Sequence, residues 1–252
     1  MIEISKTIAL GGSEIAYRTR SGRQPGVMFF GGFMSDMTGT KATMLDDYCR
    51  RRDRAFIRFD YSGHGESSGR FDDGTIGQWS ADAVAVMDHV AEGPLLIVGS
   101  SMGGWIGLLA ANERPDLVAG FIGIAAAPDF TEDMMWDEFD DVVREKLRAD
   151  GFSYEAPDNG DDPHPIATRF IEAARDHLVL RSPLELDCPV RLIQGMQDAD
   201  VPWRTALRLA EHITGDDVEV TLVKNGDHRL SQPADLARLE RTLDLLLGEQ
   251  SA

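Results

Sequence analysis

The sequence predicts an α/β fold with a mostly parallel central sheet and helices on both of its faces. Short segments that are apolar throughout, such as Leu95–Val98, alternate with longer segments of helical periodicity, such as Ile76–Ala91. Strands of this kind are typical of a sheet that is buried on both faces. The alternation is interrupted once, from Pro128 to about Asp187, which predicts a single domain over residues 1–252 with a small inserted cap.

The predicted elements follow one another in a regular order. Two strand-like segments, Ile2–Leu10 and Glu14–Arg20, flank a glycine pair and predict an N-terminal hairpin. Further strands are predicted at Gly26–Phe30, Ala55–Phe59, Pro94–Val98, Val118–Ala126, Val190–Gln194 and Val218–Val223. Helices outside the cap are predicted at Thr38–Arg51, Ile76–Ala91, Gly103–Asn112, Trp203–Ile213 and Ala234–Leu247. The cap is predicted to be acidic, helical in places and poor in strands.

The composition and charge exclude several classes of function. Of the 252 residues, 42% are hydrophobic, which is enough for a core that needs no disulfides. The formal net charge of −18 argues against nucleic-acid binding, which needs clustered Lys and Arg. We find neither a signal peptide nor an apolar stretch of membrane-spanning length, and we expect no membrane span.

The cysteines give no sign of a metal or redox site. Cys49 and Cys188 stand in unrelated contexts, and no Cys-x-x-Cys pattern occurs. We therefore expect a protein without a metal or cofactor, in a reduced, cytoplasmic compartment.

The motif G-x-S-x-G, typical of serine hydrolases, occurs twice. The first copy, Gly65–Gly69, lies in a polar loop with no helix behind it, and we interpret it as a surface turn. The second, Gly99–Gly103, follows an apolar strand and is followed at once by an apolar helix. A nucleophilic serine needs this strand–turn–helix context, and the helix N-terminus favours a developing anion. We therefore predict that Ser101 is the nucleophile.

Of six histidines, His228 is the best candidate for the general base. It follows the last predicted strand, and parallel strands deliver their C-terminal loops to the same edge of the sheet. Its position also fits the chain order Ser…Asp…His of this type of site. The other five histidines, for which we expect structural or solvated roles, are His64, His89, His164, His177 and His212.

Two acidic residues compete for the role of orienting His228. Asp198 and Asp200 both follow the predicted strand Val190–Gln194, at the edge where His228 is expected. Asp227 is a poor orienter, because neighbouring residues in an extended loop diverge. The residues alone leave the choice between Asp198 and Asp200 open.

Acyl transfer also needs two N–H donors at the developing oxyanion. One is the backbone N–H of Met102, the residue after the predicted nucleophile. The second is expected in the loop after the Gly26–Phe30 strand, where Gly31 and Gly32 let the backbone approach the substrate, and we select Phe33. A plain tight turn is the alternative interpretation of this glycine pair.

Two loops resemble those of the α/β-hydrolase superfamily. The segment Arg58–Ser67 is similar to its R-x-D-x-x-G-x-G-x-S loop, and Gly195–Pro202 is similar to its G-x-x-D-x-x-V-P acid loop. The resemblance covers nearly the whole chain outside the cap. It implies the α/β-hydrolase fold, and it places the catalytic acid at Asp198.

Other segments resemble a narrower group within that superfamily. These segments are Gly32–Ala42, Gly99–Trp105, Val201–Trp203 and Asp227–Arg229. They are similar to the branch of the abhydrolase domain-containing proteins that cleaves palmitoyl-protein thioesters and acyl glucuronides. The resemblance implies a serine esterase or thioesterase that acts on a small molecule or an acylated protein.

Other functions remain compatible with the same residues. Carbon–carbon bond hydrolases and aminopeptidases of this fold use the same three side chains, whereas epoxide hydrolases and haloalkane dehalogenases carry Asp in place of Ser101. An interaction module on a hydrolase scaffold would predict a damaged triad. The apolar cap residues either line an acyl site or pack the cap onto the sheet; they are Met134, Met135, Trp136, Phe139, Phe152, Tyr154 and Phe170.

Overall fold

The computed structural model describes residues 3–10, 12–155 and 164–248. Its strands are β1 (Ile4–Leu10), β2 (Ser13–Arg20), β3 (Arg23–Phe30), β4 (Arg54–Phe59), β5 (Leu95–Ser100), β6 (Val118–Ile124), β7 (Phe152–Glu155), β8 (His164–Ala167), β9 (Val190–Gly195) and β10 (Val218–Val223). Its α-helices are α1 (Thr40–Arg51), α2 (Ile76–Val90), α3 (Met102–Glu113), α4 (Asp141–Asp150), α5 (Thr168–Ala174), α6 (Arg204–His212) and α7 (Pro233–Leu247). Gly11 and Ile2, in the predicted N-terminal hairpin, lie outside the described residues.

Eight of the strands form one mixed sheet in the order β1-β2-β4-β3-β5-β6-β9-β10. Strands β1 and β2 pair antiparallel, as does β2 with β4, and the pairs from β4 through β10 are parallel. The predicted fold, a mostly parallel sheet with helices on both faces, is confirmed. The carboxyl ends of β3, β5, β9 and β10 therefore lie along one edge of the sheet, where a site can be assembled from separate loops.

The middle of the sheet is buried on both faces, and consecutive residues of a strand point to opposite faces. Phe30 belongs to a core cluster that includes Trp79 of α2 and Trp105 of α3, whereas Phe29 belongs to a second cluster with Leu45 of α1 and Leu243 of α7. This double burial explains why residues 27–30, 95–98 and 118–124 are apolar throughout.

The segment between Pro128 and Asp187 contains more structure than the sequence predicts. Its described residues include a π-helical turn at Thr131–Trp136, then α4, the hairpin of β7 and β8, α5 and a 3-10 turn at Arg175–His177. The antiparallel hairpin pairs Phe152 with Ala167 and forms a separate two-stranded sheet. The expectation of a strand-poor cap misses this hairpin, because each strand has four residues, the shortest length at which alternation indicates a strand, and only Phe152–Glu155 alternates.

Asp129 ties the two ends of this segment together. Its side chain is fully buried, and its carboxylate accepts the backbone N–H groups of Val179 at 2.7 Å and Leu180 at 2.9 Å. The pKa of Asp129 is raised above its usual value, because the effect of burial exceeds the opposing effect of these two hydrogen bonds. The tie fixes the returning chain against the carboxyl end of β6.

Among the described residues, no helix is both long enough and apolar enough to cross a membrane.

Candidate active site

Ser101 occupies a strained turn between β5 and α3. Its backbone has φ 53° and ψ −122°, a region that residues with a side chain rarely adopt. Small neighbours are needed there, since a Cβ on Gly103 would lie 2.2 Å from the carbonyl oxygen of Phe30. The Ser101 amide donates to the carbonyl of Ile124 on β6 at 3.0 Å, which fixes the turn to the sheet.

The structure brings three of the predicted site residues into one hydrogen-bonded chain. His228 Nε2 lies 3.1 Å from Ser101 Oγ. On the other side of the ring, His228 Nδ1 lies 2.9 Å from Asp198 Oδ2 and 3.1 Å from Oδ1. The three residues follow β5, β10 and β9, so the sheet edge assembles them from loops that are far apart in the sequence.

The loop after β9 separates the two acidic candidates. Oδ1 of Asp198 accepts the backbone N–H groups of Asp200 at 2.9 Å and Val201 at 2.8 Å, which turns the Asp198 side chain inward. Asp200 itself is exposed. In the neighbouring loop, the carboxylate of Asp227 accepts the N–H of Leu230 at 2.8 Å. Of these three acids, Asp198 is therefore the one hydrogen-bonded to the imidazole.

A fourth side chain at this site was not predicted from the sequence. Gln194, at the end of β9, is fully buried and donates from Nε2 to Asp198 Oδ2 at 2.8 Å. The same amide nitrogen lies 3.2 Å from the carbonyl oxygen of Val201. The available signal was a polar amide at the end of an apolar strand, since a buried amide needs hydrogen-bond partners.

The two predicted oxyanion donors border Ser101 from different segments. Met102 is the first residue of α3, and the first N–H groups of a helix have no partner within the helix. Phe33 follows Gly32, where a Cβ would lie 3.4 Å from the Cβ of Ser101. The loop after β3 thus passes close to the nucleophile, as the glycine pair predicts, although its positive φ of 56° falls on Met34.

The loop that carries Phe33 is fastened at both ends by residues of β4 and the loop after it. Tyr61, which is fully buried, donates from its hydroxyl to the carbonyl of Gly31 at 3.3 Å. At the other end, the amide of Met37 donates to Asp60 Oδ1 at 2.7 Å, and its carbonyl accepts from Arg58 at 2.9 Å. The loop Arg58–Ser67, noted for its family resemblance, therefore supports the backbone beside Ser101.

An aromatic cluster surrounds the side chain of Phe33. The ring centroids of Phe71, Phe170, Phe130 and Trp79 lie 4.8, 5.7, 6.0 and 6.1 Å from that of Phe33. Phe130 and Phe170 belong to the segment between Pro128 and Asp187, so this cluster joins that segment to the oxyanion loop. Phe170 fits both interpretations of the apolar cap residues. It packs against Trp79 of α2, and it also lies beside Phe33, the predicted oxyanion donor.

The remaining apolar cap residues have other surroundings. Trp136 lies under the guanidinium groups of Arg144, Arg148 and Arg175, at 5.0 to 5.8 Å from its ring centroid. Phe152 is exposed, and the side chain of Tyr154 lies outside the described residues.

The two serines of the first G-x-S-x-G motif, Gly65–Gly69, form hydrogen bonds that hold its loop in place. Ser67 Oγ donates to the carbonyl of Asp60 at 2.6 Å and accepts the amide of Ala16 at 2.8 Å. The adjacent Ser68 Oγ accepts the amide of Glu14 at 2.7 Å. Both hydroxyls fasten this loop to β2.

The nearby histidine, His64, is buried among aromatic rings. Its ring centroid lies 5.0 Å from that of Trp79 and 5.1 Å from that of Phe71. Burial lowers the pKa of His64.

One group of potential metal ligands occurs among the described residues, and it overlaps the same site. Asp198, Asp200 and His228 each offer one ligand atom, and these atoms lie within 4.8 Å of one another. Both oxygens of Asp198 already accept hydrogen bonds from backbone and side-chain donors, and His228 contacts Asp198 and Ser101 through its two nitrogens.

Comparison with known proteins shows that the sequence is similar to those of α/β hydrolases. The family model described as alpha/beta hydrolase fold matches residues 27–156. The mitochondrial palmitoyl-protein thioesterase ABHD10 of Mus musculus is 40% identical over 94% of this chain and 80% of its own length. The Homo sapiens protein of the same name is 37% identical over 94% of this chain and 78% of its own length.

Two solved structures have nearly the same fold. Alpha/beta hydrolase domain-containing protein 10 from mouse superposes with a TM-score of 0.91 at 37% identity, covering 97% of this chain and 98% of that one. A putative hydrolase from Agrobacterium vitis S4 gives a TM-score of 0.91 at 40% identity, with the same coverage of both chains.

The expected cytoplasmic location is wrong by this comparison. The matched thioesterases are mitochondrial proteins, as their names state. Isolated cysteines indicate a reducing environment, but they do not distinguish one reducing compartment from another.

Proposed function

Because this chain belongs to the α/β-hydrolase fold family, we propose that it cleaves carboxylic thioesters or esters through an acyl-enzyme formed on Ser101. The observation that carries the proposal is the hydrogen-bonded chain from Ser101 Oγ through His228 to Asp198, built on a strained turn at the nucleophile. Such a chain activates a serine hydroxyl that is otherwise a weak nucleophile.

In the first half of the reaction, His228 Nε2 takes the proton of Ser101 Oγ while that oxygen attacks the carbonyl carbon of the substrate. The electron pair of the carbonyl bond moves to its oxygen, which the N–H groups of Met102 and Phe33 stabilise. Collapse of this intermediate breaks the bond to the leaving sulfur or oxygen, which receives the proton from His228. The acyl group remains on Ser101.

In the second half, water replaces the leaving group. His228 removes a proton from water, the hydroxide attacks the acyl carbon, and the serine leaves with the proton that His228 returns. The carboxylate of Asp198 stabilises the imidazolium in both halves and keeps Nδ1 as the protonated nitrogen. Gln194 and the amides of Asp200 and Val201 hold that carboxylate in place.

For the substrate, we propose an apolar acyl group carried on a thiol, including the thiol of a protein cysteine. The names of the relatives support this class, since they are palmitoyl-protein thioesterases. The aromatic cluster around Phe33 supplies apolar surface next to the proposed oxyanion donor. An open cleft of about 550 Å³ is lined by residues that include Asp72, Phe152 and Arg169. Asp72 and Arg169 adjoin two members of the aromatic cluster, Phe71 and Phe170, in the sequence.

The test combines covalent labelling with turnover. A fluorophosphonate should label the wild-type protein once, at Ser101, and labelling should abolish hydrolysis of acyl thioesters. Ser101→Ala should lose both labelling and turnover, while Ser67→Ala, the same change in the other motif, should keep both. Turnover without labelling, or labelling that leaves turnover intact, contradicts the proposed function.

A further inference from the structure

Lys41 connects two segments of the site that are far apart in the sequence. Its Nζ donates a hydrogen bond of 2.5 Å to the carbonyl oxygen of Arg229, the residue directly after His228. It also lies 3.5 Å from Ser231 Oγ. Lys41 stands in the first turn of α1, the helix that follows the loop carrying Phe33. One side chain thus links the element behind the proposed oxyanion loop to the loop of the proposed base.

The acyl-enzyme mechanism gives Lys41 no role, although it lies in the segment Gly32–Ala42 that the sequence analysis singles out. We propose that Lys41 is a positioning residue whose bond to Arg229 keeps His228 within reach of Ser101. This inference rests on the proposed function, since the position of His228 matters for catalysis only if His228 is the general base for Ser101.

The loop around His228 needs support on both sides. On the side before His228, the amide of Gln197 donates to the carbonyl of Gly226 at 2.9 Å, which joins this loop to the loop of Asp198. On the other side stands Leu230, a buried residue with a φ of 44°. A residue with a side chain holds such a conformation where its surroundings enforce it. The bond from Lys41 to the preceding carbonyl is one of those restraints.

The ammonium group of Lys41 sits in a partly desolvated, charged environment. Burial lowers its pKa to about 8, a change that Asp227 and Asp235 oppose and Arg229 adds to. Hydrogen bonds from a charged donor are about twice as strong as those between neutral groups. Loss of the Lys41 proton above about pH 8 therefore weakens the restraint on Arg229 within the pH range of ordinary assays.

The experiment measures kcat and KM of the full chain for p-nitrophenyl butyrate between about pH 7 and pH 10. Wild type should show kcat declining above about pH 8. Lys41→Met should lower kcat by roughly tenfold to a hundredfold at pH 7.5, with little change in KM and no decline above pH 8, because misplaced catalytic groups cost about that much. Lys41→Arg, which stays charged at every assay pH, should retain most of the activity and lack the decline near pH 8.

The matched control is Lys224→Met, which removes an exposed lysine from the loop that carries His228 and should leave both kcat and the alkaline decline unchanged. Wild-type kcat and an unchanged alkaline decline in Lys41→Met overturn the inference. If Lys41→Met fails to fold, Lys41→Arg decides, since a decline near pH 8 in that variant overturns it equally. Fluorophosphonate labelling counts the competent sites in each preparation.

The failure of this inference differs from a failure of the proposed function. If Ser101→Ala hydrolyses the ester as fast as wild type, the acyl-enzyme proposal fails whatever Lys41 does. If Ser101→Ala is inactive and the Lys41 variants behave as wild type, the role of Lys41 fails alone.

Discussion

The carboxylate of Asp198 has no exposed surface, whereas the imidazole of His228, which lies 2.9 Å from it, is 24% exposed. Protein donors therefore surround the acid, while the imidazole stands between this buried group and the hydroxyl of Ser101. A buried carboxylate held by several donors cannot easily turn away, so it fixes the orientation of the ring.

Replacement of this acid should therefore have a large and specific effect. We expect Asp198→Asn to lower kcat by roughly 10³- to 10⁴-fold, because an amide no longer selects the tautomer with Nδ1 protonated. Asp200→Asn should cost about tenfold or less, since Asp200 contributes its backbone N–H to Asp198. The check is kcat of both variants on one thioester substrate. A larger loss in Asp200→Asn would assign the acid to Asp200.

The two G-x-S-x-G serines should respond differently in activity and in stability. Ser101→Ala should lower kcat by roughly 10⁴- to 10⁶-fold, as expected for loss of a nucleophile. Ser67→Ala should keep its activity per folded molecule but lower the free energy of unfolding by about 1–3 kcal/mol, because it removes two hydrogen bonds of Ser67 Oγ. Urea denaturation and active-site titration separate these effects. An inactive but fully stable Ser67→Ala variant would argue against this assignment.

Tyr61 gives a test of the oxyanion loop that leaves the loop sequence intact. Tyr61→Phe removes the hydroxyl that donates to the carbonyl of Gly31 and keeps the buried ring. We expect kcat to fall by about tenfold with KM nearly unchanged, because a displaced donor weakens binding of the transition state more than that of the substrate. The affinity for an acyl trifluoromethyl ketone, which forms a tetrahedral adduct, should fall by a similar factor. Equal effects on KM and kcat would indicate a general packing defect instead.

The sequence predicts much of this site because the parallel sheet leaves clear local signals. Ser101 stands between an apolar strand and a helix. Asp198 and His228 lie in the loops that follow the last two strands, β9 and β10, which gives their order in the chain. The choice of Asp198 over Asp200 needed the resemblance to a family, since both follow the same strand. The two acids differ in orientation because the backbone amides of Asp200 and Val201 donate to Asp198 and turn its side chain inward. A pattern of residue types does not predict such backbone hydrogen bonds.

Contacts between distant parts of the chain could not be predicted in the same way. Lys41 and Arg229 are 188 positions apart, and each looks like an ordinary charged residue in its own segment. Gln194 leaves a weak signal as a polar residue that ends an apolar strand. The hairpin of β7 and β8 leaves even less, because each strand has four residues, the lower limit for a recognisable alternation.

The pKa of Lys41 also predicts how stability depends on pH. Because the folded protein lowers this pKa from 10.5 to about 8, Lys41 binds more protons in the unfolded chain than in the folded protein between these values, and its own contribution to stability should rise with pH across that interval. The contribution of Lys41 is at most about 3 kcal/mol, and less where solvent screens the charge. We expect the difference in free energy of unfolding between wild type and Lys41→Met to grow from pH 8 to pH 10 in favour of wild type. A growing difference in free energy of unfolding together with a fall in wild-type kcat separates weakened positioning from alkaline unfolding, and a constant difference would contradict the shift in the pKa of Lys41.

The aromatic cluster around Phe33 predicts how the rate depends on the acyl chain. Each buried methylene contributes about 0.8 kcal/mol, so kcat/KM should rise about fourfold for each added methylene until the apolar surface is covered. Phe170→Ala removes a ring 5.7 Å from Phe33 and should shift the preferred chain length upward, because the chain can occupy the vacated space. Trp136→Ala removes an aromatic ring of the same segment that packs under Arg144, Arg148 and Arg175, and it should leave the preferred length unchanged. The measurement is kcat/KM for a series of acyl thioesters on one neutral thiol. A flat series in wild type would rule out an acyl site beside Phe33, and equal shifts in both variants would show that the cluster does not set the chain length.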